Sequence, residues 1–276
     1  MRNRYIVKDL LQEITETLTS QIPRASREAQ LLVMRYLGVD ELWLITHQKS
    51  EVSVSQELFE WVDRRKNHEP FEYITNSVSF YSEEFYIDEG ALIPRPETEL
   101  LIDEVIKNVA DKESAITFVE VGVGSGIISI MLAKHFKNAK IIAVDISQKA
   151  LHVAQKNIEK FGMQEQIELR HGSLLEPVYE KIDYLVSNPP YIENGAILEK
   201  NLAYEPQNAL FGGEVGDEII KELLDEVLKQ KIRFFSCEMG YDQKDKISGY
   251  LQKRDITSIH FYKDYSSFDR GFTIKV

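Results

Sequence analysis

The chain has 276 residues, 43% apolar and 28% charged, which are ordinary values for a soluble globular protein of one large domain or two modest ones. A formal charge of −12 argues against a phosphate backbone as the main partner, because surfaces that bind nucleic acid are basic. The single cysteine, Cys237, excludes an intrachain disulfide framework and suits a reducing compartment. Met1 to Leu10 holds no continuous apolar stretch for a signal peptide, and no run approaches the roughly 20 apolar residues of a membrane span, so a cytoplasmic protein without membrane contact is expected. The six histidines show no metal-ligand spacing and there is no Cys-x-x-Cys, so no metal is expected.

Taken in chain order, residues 1–74 read as a small helical domain. Leu10, Leu11, Ile14 and Leu18 recur at helical spacing; Ser26 offers a cap for a second helix carrying Ala29, Leu32, Val33 and Tyr36, which Gly38 ends; Leu58, Trp61 and Val62 mark a last helix before Pro70. Residues 75–92 change character. Two β-prone segments, Ser77 to Ser82 and Phe85 to Ile87, predict a hairpin linker with Ser82-Glu-Glu between its strands.

From residue 93 to 276 strands alternate with helices. Strands are expected at Ile116–Val121, Ile141–Val144, Ile167–Leu169, Tyr184–Ser187 and Phe234–Cys237, helices at Ile127–Phe136 and from Ala150 to Phe161, and a closing hairpin at Ile256–Tyr262 and Phe272–Val276. This order predicts an α/β, Rossmann-like, doubly wound sheet.

The first strand of that domain runs into Glu120-Val-Gly122-Val123-Gly124-Ser125-Gly126. Glycine serves where the backbone turns sharply and must approach a ligand without a Cβ in the way, and a loop before a helix start favours an anionic group. A dinucleotide fingerprint would put its third glycine at position 127, which is Ile. The G-x-G-x-G spacing instead suits S-adenosylmethionine, whose compact carboxylate replaces the pyrophosphate. Asp145, with Ile146 after it, ends the second strand 23 residues beyond Gly122, where a carboxylate accepts both hydroxyls of a ribose. The alternative for Asp145 is a helix cap before Ser147.

The fourth strand ends in Asn188-Pro189-Pro190-Tyr191, at the carboxyl edge of the sheet where ligands bind in this architecture. An amide or exocyclic amino nitrogen is a poor nucleophile, and its two N–H groups need two acceptors. The Asn188 side-chain oxygen and the Pro189 carbonyl would supply them in a turn that the prolines make rigid, and Tyr191 would stack on the planar group. No base is required before attack, because the proton leaves afterwards. The plain alternative is a Pro-Pro turn after a strand.

At this point the chain resembles the peptide-chain release factor glutamine-N5 methyltransferases (the HemK/PrmC family). The matching residues are Leu92-Ile-Pro-Arg-Pro-Glu-Thr-Glu99, Glu120 to Gly126, Ala143-Val-Asp145, Val186 to Ile192, Glu205-Pro206, Glu238-Met-Gly-Tyr241, Lys263-Asp264 and Asp269-Arg270. Asn-Pro-Pro-Tyr alone is shared with adenine-N6 methyltransferases; its combination with Ile-Pro-Arg-Pro-Glu-Thr-Glu upstream is specific. The resemblance implies a seven-stranded class I methyltransferase domain behind a helical, substrate-docking N-terminal domain, S-adenosylmethionine as donor, and the glutamine of the Gly-Gly-Gln motif of class 1 release factors as acceptor. It implies that Gly122 to Gly126 contact the methionine part, that Asp145 holds the ribose, that Ser173 and Leu174 lie near the adenine, and that Asn188 to Tyr191 hold the glutamine amide. Position 173 is Ser where many relatives carry an acid, position 174 is Leu where some carry an aromatic, and Asn76 stands where glycine is common.

Pro94-Arg95-Pro96 before Glu97-Thr-Glu99 makes a good helix start, and Arg95 is a candidate substrate contact. Glu205 lies in a stretch from about 193 to 215 without periodicity, of the length that usually marks a functional loop, and is a second candidate on the substrate side. Other readings are an adenine-N6 nucleic-acid methyltransferase, for which a basic groove is missing, a ribosomal-protein glutamine methyltransferase, a non-catalytic adenosine-binding module and a nicotinamide oxidoreductase. Nothing demands more than a monomer.

Overall fold

A computed structural model of the chain describes residues 2–110, 112–254, 256 and 258–276. It divides into two compact units, one running to Asn76 and taking in Glu199–Tyr204, the other formed by Ser77–Leu198 and Glu205–Val276.

In the first unit, β1 (Arg2–Ile6) leads into α1 (Val7–Leu18), α2 (Ala25–Leu37), α3 (Glu41–Thr46), β2 (Glu51–Ser55), α4 (Gln56–Lys66) and α5 (Phe71–Thr75). α1 forms because Val7, Leu10, Ile14 and Leu18 fall on one stripe, and all four are buried against Ala29, Leu32 and Val33 of α2 and Leu58 and Val62 of α4. Arg65 of α4 donates two bonds to Glu28 of α2, at 2.8 and 3.2 Å. Two features differ from expectation. The segment is not wholly helical: β1 and β2 pair antiparallel, a ribbon too short and too exposed, with only Val54 buried in β2, to show in the periodicity. Ser26 is not a cap, because burial of Ile22 and Ala25 starts α2 two residues earlier, after Arg24 in the left-handed region. Asn76 ends α5 at φ +50°, the conformation for which glycine is usual and which asparagine tolerates.

The second unit opens with a hairpin, β3 (Val78–Phe80) and β4 (Glu83–Phe85). Its turn is Tyr81-Ser82, both at positive φ, as a tight primed turn requires, so Glu83 and Glu84 lie in the second strand and not in the turn. Then come α6 (Thr98–Asn108), β5 (Thr117–Val121), α7 (Ile127–His135), β6 (Lys140–Asp145), α8 (Gln148–Phe161), β7 (Ile167–His171), β8 (Tyr184–Ser187), β9 (Ile192–Glu193), β10 (Phe211–Gly213), α9 (Glu218–Gln230), β11 (Phe234–Glu238), α10 (Lys244–Gln252), β12 (Ile259–Lys263) and β13 (Asp269–Lys275).

Seven strands form one sheet in the order β12-β13-β11-β8-β5-β6-β7, with β13 antiparallel to both neighbours and the rest parallel. The central strands β5, β6, β8 and β11 are almost wholly buried, as a parallel sheet covered on both faces demands. From β5 the chain winds outward through β6 to β7, then returns to place β8 on the other side of β5. The strand order reverses between β5 and β8, and a crevice opens there at their carboxyl ends.

The segment after β8 is less irregular than its sequence suggests. β9 pairs parallel with β10, and two single turns of 3₁₀ helix, Leu202–Tyr204 and Gln207–Ala209, lie between them.

Candidate active site

The glycine loop follows β5 into the crevice. Gly122, Gly124 and Gly126 sit at φ +79°, +52° and +81°, where a side chain would strain the backbone. Each has its own reason. At Gly122 the constraint is the backbone itself, since an added Cβ would meet only the Asn188 carbonyl oxygen, at an ordinary 3.6 Å. Gly126 heads α7, and a Cβ there would press to 3.2 Å on Ala154 Cα of α8, so glycine serves helix packing. Gly124 donates its N–H to Asp145 Oδ2 at 3.0 Å.

Asp145 ends β6 and accepts a second bond from Ser147 N–H at 2.8 Å on Oδ1. Ser147 itself caps α8, accepting from Ala150 N–H, so capping does not fall to Asp145. Burial raises the Asp145 carboxyl above the ordinary value, against the pull of the two amides.

Glu120, in β5, is 1% exposed. Ser129 Oγ of α7 donates to its Oε2, while Oε1 is buried without a partner. Burial pushes this carboxyl up to about 8. An orphaned buried acceptor on the wall of a crevice is a place for a cationic or N–H group of a ligand.

The crevice is a cavity of about 260 Å³. Glu120, Gly122, Val123, Gly124, Ser125, Asp145, Ile146, Ser173, Leu174, Asn188, Pro189 and Pro190 all line it. One wall that motif reasoning did not assign comes from Gly90 to Leu92, Pro94 and Thr98. Gly126, Tyr191, Arg95 and Glu205 do not line it. Tyr191 lies behind the wall, its hydroxyl donating to Glu238 Oε1 at 3.2 Å. Arg95 and Glu205 meet each other: Arg95 Nη2 donates to Glu205 Oε1 at 2.6 Å, and Ile93 N–H to Oε2 at 3.0 Å. The Glu205 side chain is 1% exposed and both its oxygens are engaged, so it latches the Ile93–Arg95 segment in place.

Four polar side chains that support the site carried no assigned role in the sequence. Asn157 of α8, fully buried, accepts from Tyr86 N–H and donates to the Tyr86 and Ser125 carbonyls, which ties the hairpin's exit to the glycine loop. Its signal was a polar residue on the apolar stripe of Ala150, Ala154 and Ile158. Gln243, 2% exposed, donates to the Tyr191 and Gly216 carbonyls and accepts from Gly240 N–H. Thr98 and Glu238 form a chain behind Asn188: Asn188 Nδ2 donates to Thr98 Oγ1 at 3.1 Å, and Thr98 Oγ1 to Glu238 Oε2 at 2.8 Å. Burial pushes Glu238 up to about 7, against the downward effect of the bonds from Thr98 and Tyr191. Because the amide nitrogen of Asn188 is taken by Thr98, its oxygen is the end left for a ligand's N–H.

Among the described residues no cluster of His, Cys, Asp and Glu could hold a metal, and no helix is long and apolar enough to cross a membrane.

Residues 96–211 match the methyltransferase small domain, and residues 9–75 match the PrmC N-terminal domain. The chain is 36% identical to a release factor glutamine methyltransferase of Koribacter versatilis, over 92% of each chain. It is 35% identical to one of Clostridium botulinum, over 96% of this chain and 97% of the relative, and 32% identical to one of Clostridium acetobutylicum, over 88% of each. Among solved structures, the catalytic domain of human METTL16 with an RNA hairpin of the MAT2A 3'UTR superposes with a TM-score of 0.57 at 14% identity, covering 69% of this chain and 74% of that one. The N-terminal domain of human METTL16 with SAH gives 0.52 at 17% identity, covering 69% and 75%. At these identities the likeness is one of fold.

Proposed function

The chain belongs to the release factor glutamine methyltransferase family, and from that premise we propose that it methylates the side-chain amide nitrogen (N5) of the glutamine in the Gly-Gly-Gln motif of class 1 peptide-chain release factors, in support of translation termination. The observation that carries this reading is the orientation of Asn188, whose nitrogen is engaged by Thr98 at the wall of the crevice, so that an acceptor faces the ligand.

The residues fit S-adenosylmethionine. Gly122 and Gly124, with Val123 and Ser125 between and after them, would cradle the methionine part, the orphaned Oε1 of Glu120 would take its ammonium, Asp145 the ribose hydroxyls, and Ile146, Ser173 and Leu174 would flank the adenine. Bound there, it would supply an electrophilic methyl group on a sulfonium, which leaves as the neutral thioether when the methyl passes to the glutamine nitrogen. The nitrogen then loses one of its two protons to solvent, so no general base is needed before attack. Asn188 Oδ1 and the Pro189 carbonyl would accept the two amide N–H groups, orient the nitrogen and support the positive charge that develops on it. Pro190 keeps the turn rigid, and Tyr191, anchored by Glu238, backs the planar amide. Arg95 and Glu205, latched to each other, shape the substrate side.

We read residues 1–74 as the substrate-docking domain, 75–92 as the linker and 93–276 as the catalytic domain, acting as a cytoplasmic monomer without metal and without direct nucleic-acid contact. The test is to incubate the purified protein with S-adenosylmethionine and an unmethylated class 1 release factor and map the added mass by peptide mass spectrometry. A single methyl on the Gly-Gly-Gln glutamine is the expected result. Cofactor binding without that methyl would overturn the substrate and move the search to ribosomal proteins and adenine in nucleic acid.

A further inference from the structure

An asparagine amide presents an acceptor at one end and two donors at the other, and the two ends have nearly the same shape. A site that needs the oxygen inward must therefore specify the flip. Sterics do not do this. Hydrogen bonding does, provided the partner can only accept.

Thr98 is 4% exposed and Glu238 1% exposed, so neither trades partners with water. A hydroxyl has one proton. Thr98 places it on Glu238 Oε2, at 2.8 Å, which leaves only lone pairs for Asn188. Asn188 must then offer Nδ2, as it does at 3.1 Å, and turn Oδ1 the other way. The far end of the chain has a fixed direction for the same reason: an ionised carboxylate only accepts, and Glu238 takes the Tyr191 hydroxyl on its other oxygen at 3.2 Å.

We propose that Thr98 and Glu238 are positioning residues that act as a one-way hydrogen-bond chain, fixing which end of the Asn188 amide meets the acceptor nitrogen. The chain runs from Asn188 to Thr98 to Glu238, and its polarity is set by the charge of Glu238. It rests on the glutamine-methylation reading for its purpose and not for its existence. The three residues come from α6, the end of β8 and β11, elements far apart in sequence that meet at the crevice.

The chain has a condition. If Glu238 takes up a proton, it can donate to Thr98, whose hydroxyl is then free to donate to Asn188 Oδ1, and the amide is drawn round with its nitrogen inward. Two N–H groups would then face two N–H groups. The groups around Glu238 that bear on its charge are Glu97 ahead of α6, Arg270 on β13, Tyr191, Cys237 beside it on β11 and Tyr262 on β12. Glu97 favours the protonated form and Arg270 the ionised form. Turnover at saturating cofactor is therefore high with Glu238 ionised and falls as the pH drops through its titration, near 7.

The test pairs kinetics with a direct view of the amide. Thr98→Val keeps the shape and removes the relay. It lowers kcat about 30-fold, the scale of one misplaced polar group in a transition state. Cofactor Kd stays within about threefold, since the hydroxyl is engaged within the protein, and the acid limb of the kcat profile disappears. Thr98→Ser restores kcat to within about threefold of the parent and brings the limb back, because the hydroxyl returns. Glu238→Gln lowers kcat and flattens the profile.

Independently of any substrate, nitrogen NMR of protein labelled at asparagine shows the Asn188 side-chain amide titrating near pH 7 in the parent and in Thr98→Ser, and not titrating in Thr98→Val. A Thr98→Val enzyme that keeps kcat within about twofold, or an Asn188 amide that titrates unchanged in that variant, overturns the proposal. A parent that leaves the release factor unmethylated while its Asn188 amide titrates as described overturns the substrate and leaves the chain standing.

Discussion

Glu120 gives the sharpest quantitative handle on the site. Its carboxyl is 1% exposed and is raised from 4.5 to about 8, chiefly by burial, with the neighbouring Asp145 charge adding to the shift. The folded protein thus holds this proton more tightly than the unfolded chain does. Its contribution to stability is fully present below about pH 4.5 and is lost as the pH rises to about 8. The slope is at most 1.36 kcal/mol for each pH unit and fades toward both ends of the range, so the loss between pH 5 and 8 is about 3 kcal/mol. Glu120→Gln removes the titration and keeps an acceptor for Ser129.

The assay is scanning calorimetry of both proteins, without cofactor, at half-unit steps from pH 5 to 8. The parent falls relative to the variant by roughly 6–12 °C over that range, from about 2–4 °C per kcal/mol for a chain of this size. Taking the difference between the two proteins cancels the titrating groups that do not interact with Glu120; Asp145, which does, stays within the difference. Cofactor should then reverse the effect, because its ammonium pairs the carboxylate: affinity rises with pH, and isothermal titration in buffers of different ionisation enthalpy shows a proton released on binding. Parallel melting curves for the two proteins would refute the reasoning, since they would mean that burial does not tax this carboxylate.

Other outcomes follow from the same geometry. Asn188→Ala removes the acceptor and lowers kcat about 100-fold or more in a methyl-transfer assay, while S-adenosylmethionine Kd changes little; a large loss of cofactor binding would contradict the role. Asp145→Ala does the reverse, raising cofactor Kd about 30-fold, or ~2 kcal/mol, by calorimetric titration, because it removes the ribose acceptor and frees the Gly124 and Ser147 amides. Arg95→Ala leaves the buried Glu205 carboxylate without its counter-charge and with the Ile93 N–H as its remaining hydrogen bond. It should lower stability by about 2 kcal/mol in urea titration, discounted because Arg95 itself is 31% exposed, and Glu205→Gln should cost less.

The fold and the cofactor side were written in local signals. Alternation of apolar β-branched runs with helical stripes specified β5, α7, β6 and α8 to within a residue or two, because each element buries a face with its own period. Gly122, Gly124 and Asp145 lie at strand ends in any such sheet, so their spacing along the chain already placed them together. The Asn188 turn was legible for the same reason.

What the sequence could not reveal depends on contacts between distant segments. The β1–β2 ribbon needs two strands 45 or more residues apart to find each other, and neither is apolar enough to announce itself. The Arg95–Glu205 pair spans 110 residues, and the Thr98–Glu238 bond spans 140. Both carboxylates read as solvent-facing in a sequence, because charge alone predicts exposure. Only folding puts Glu205 and Glu238 in the interior, where desolvation obliges each to find its partners. By itself the sequence marked the strand-end loops that meet at the crevice, because their glycines, Asp145 and the Asn188 turn follow directly on apolar strands. The tertiary structure decided which way their hydrogen bonds point.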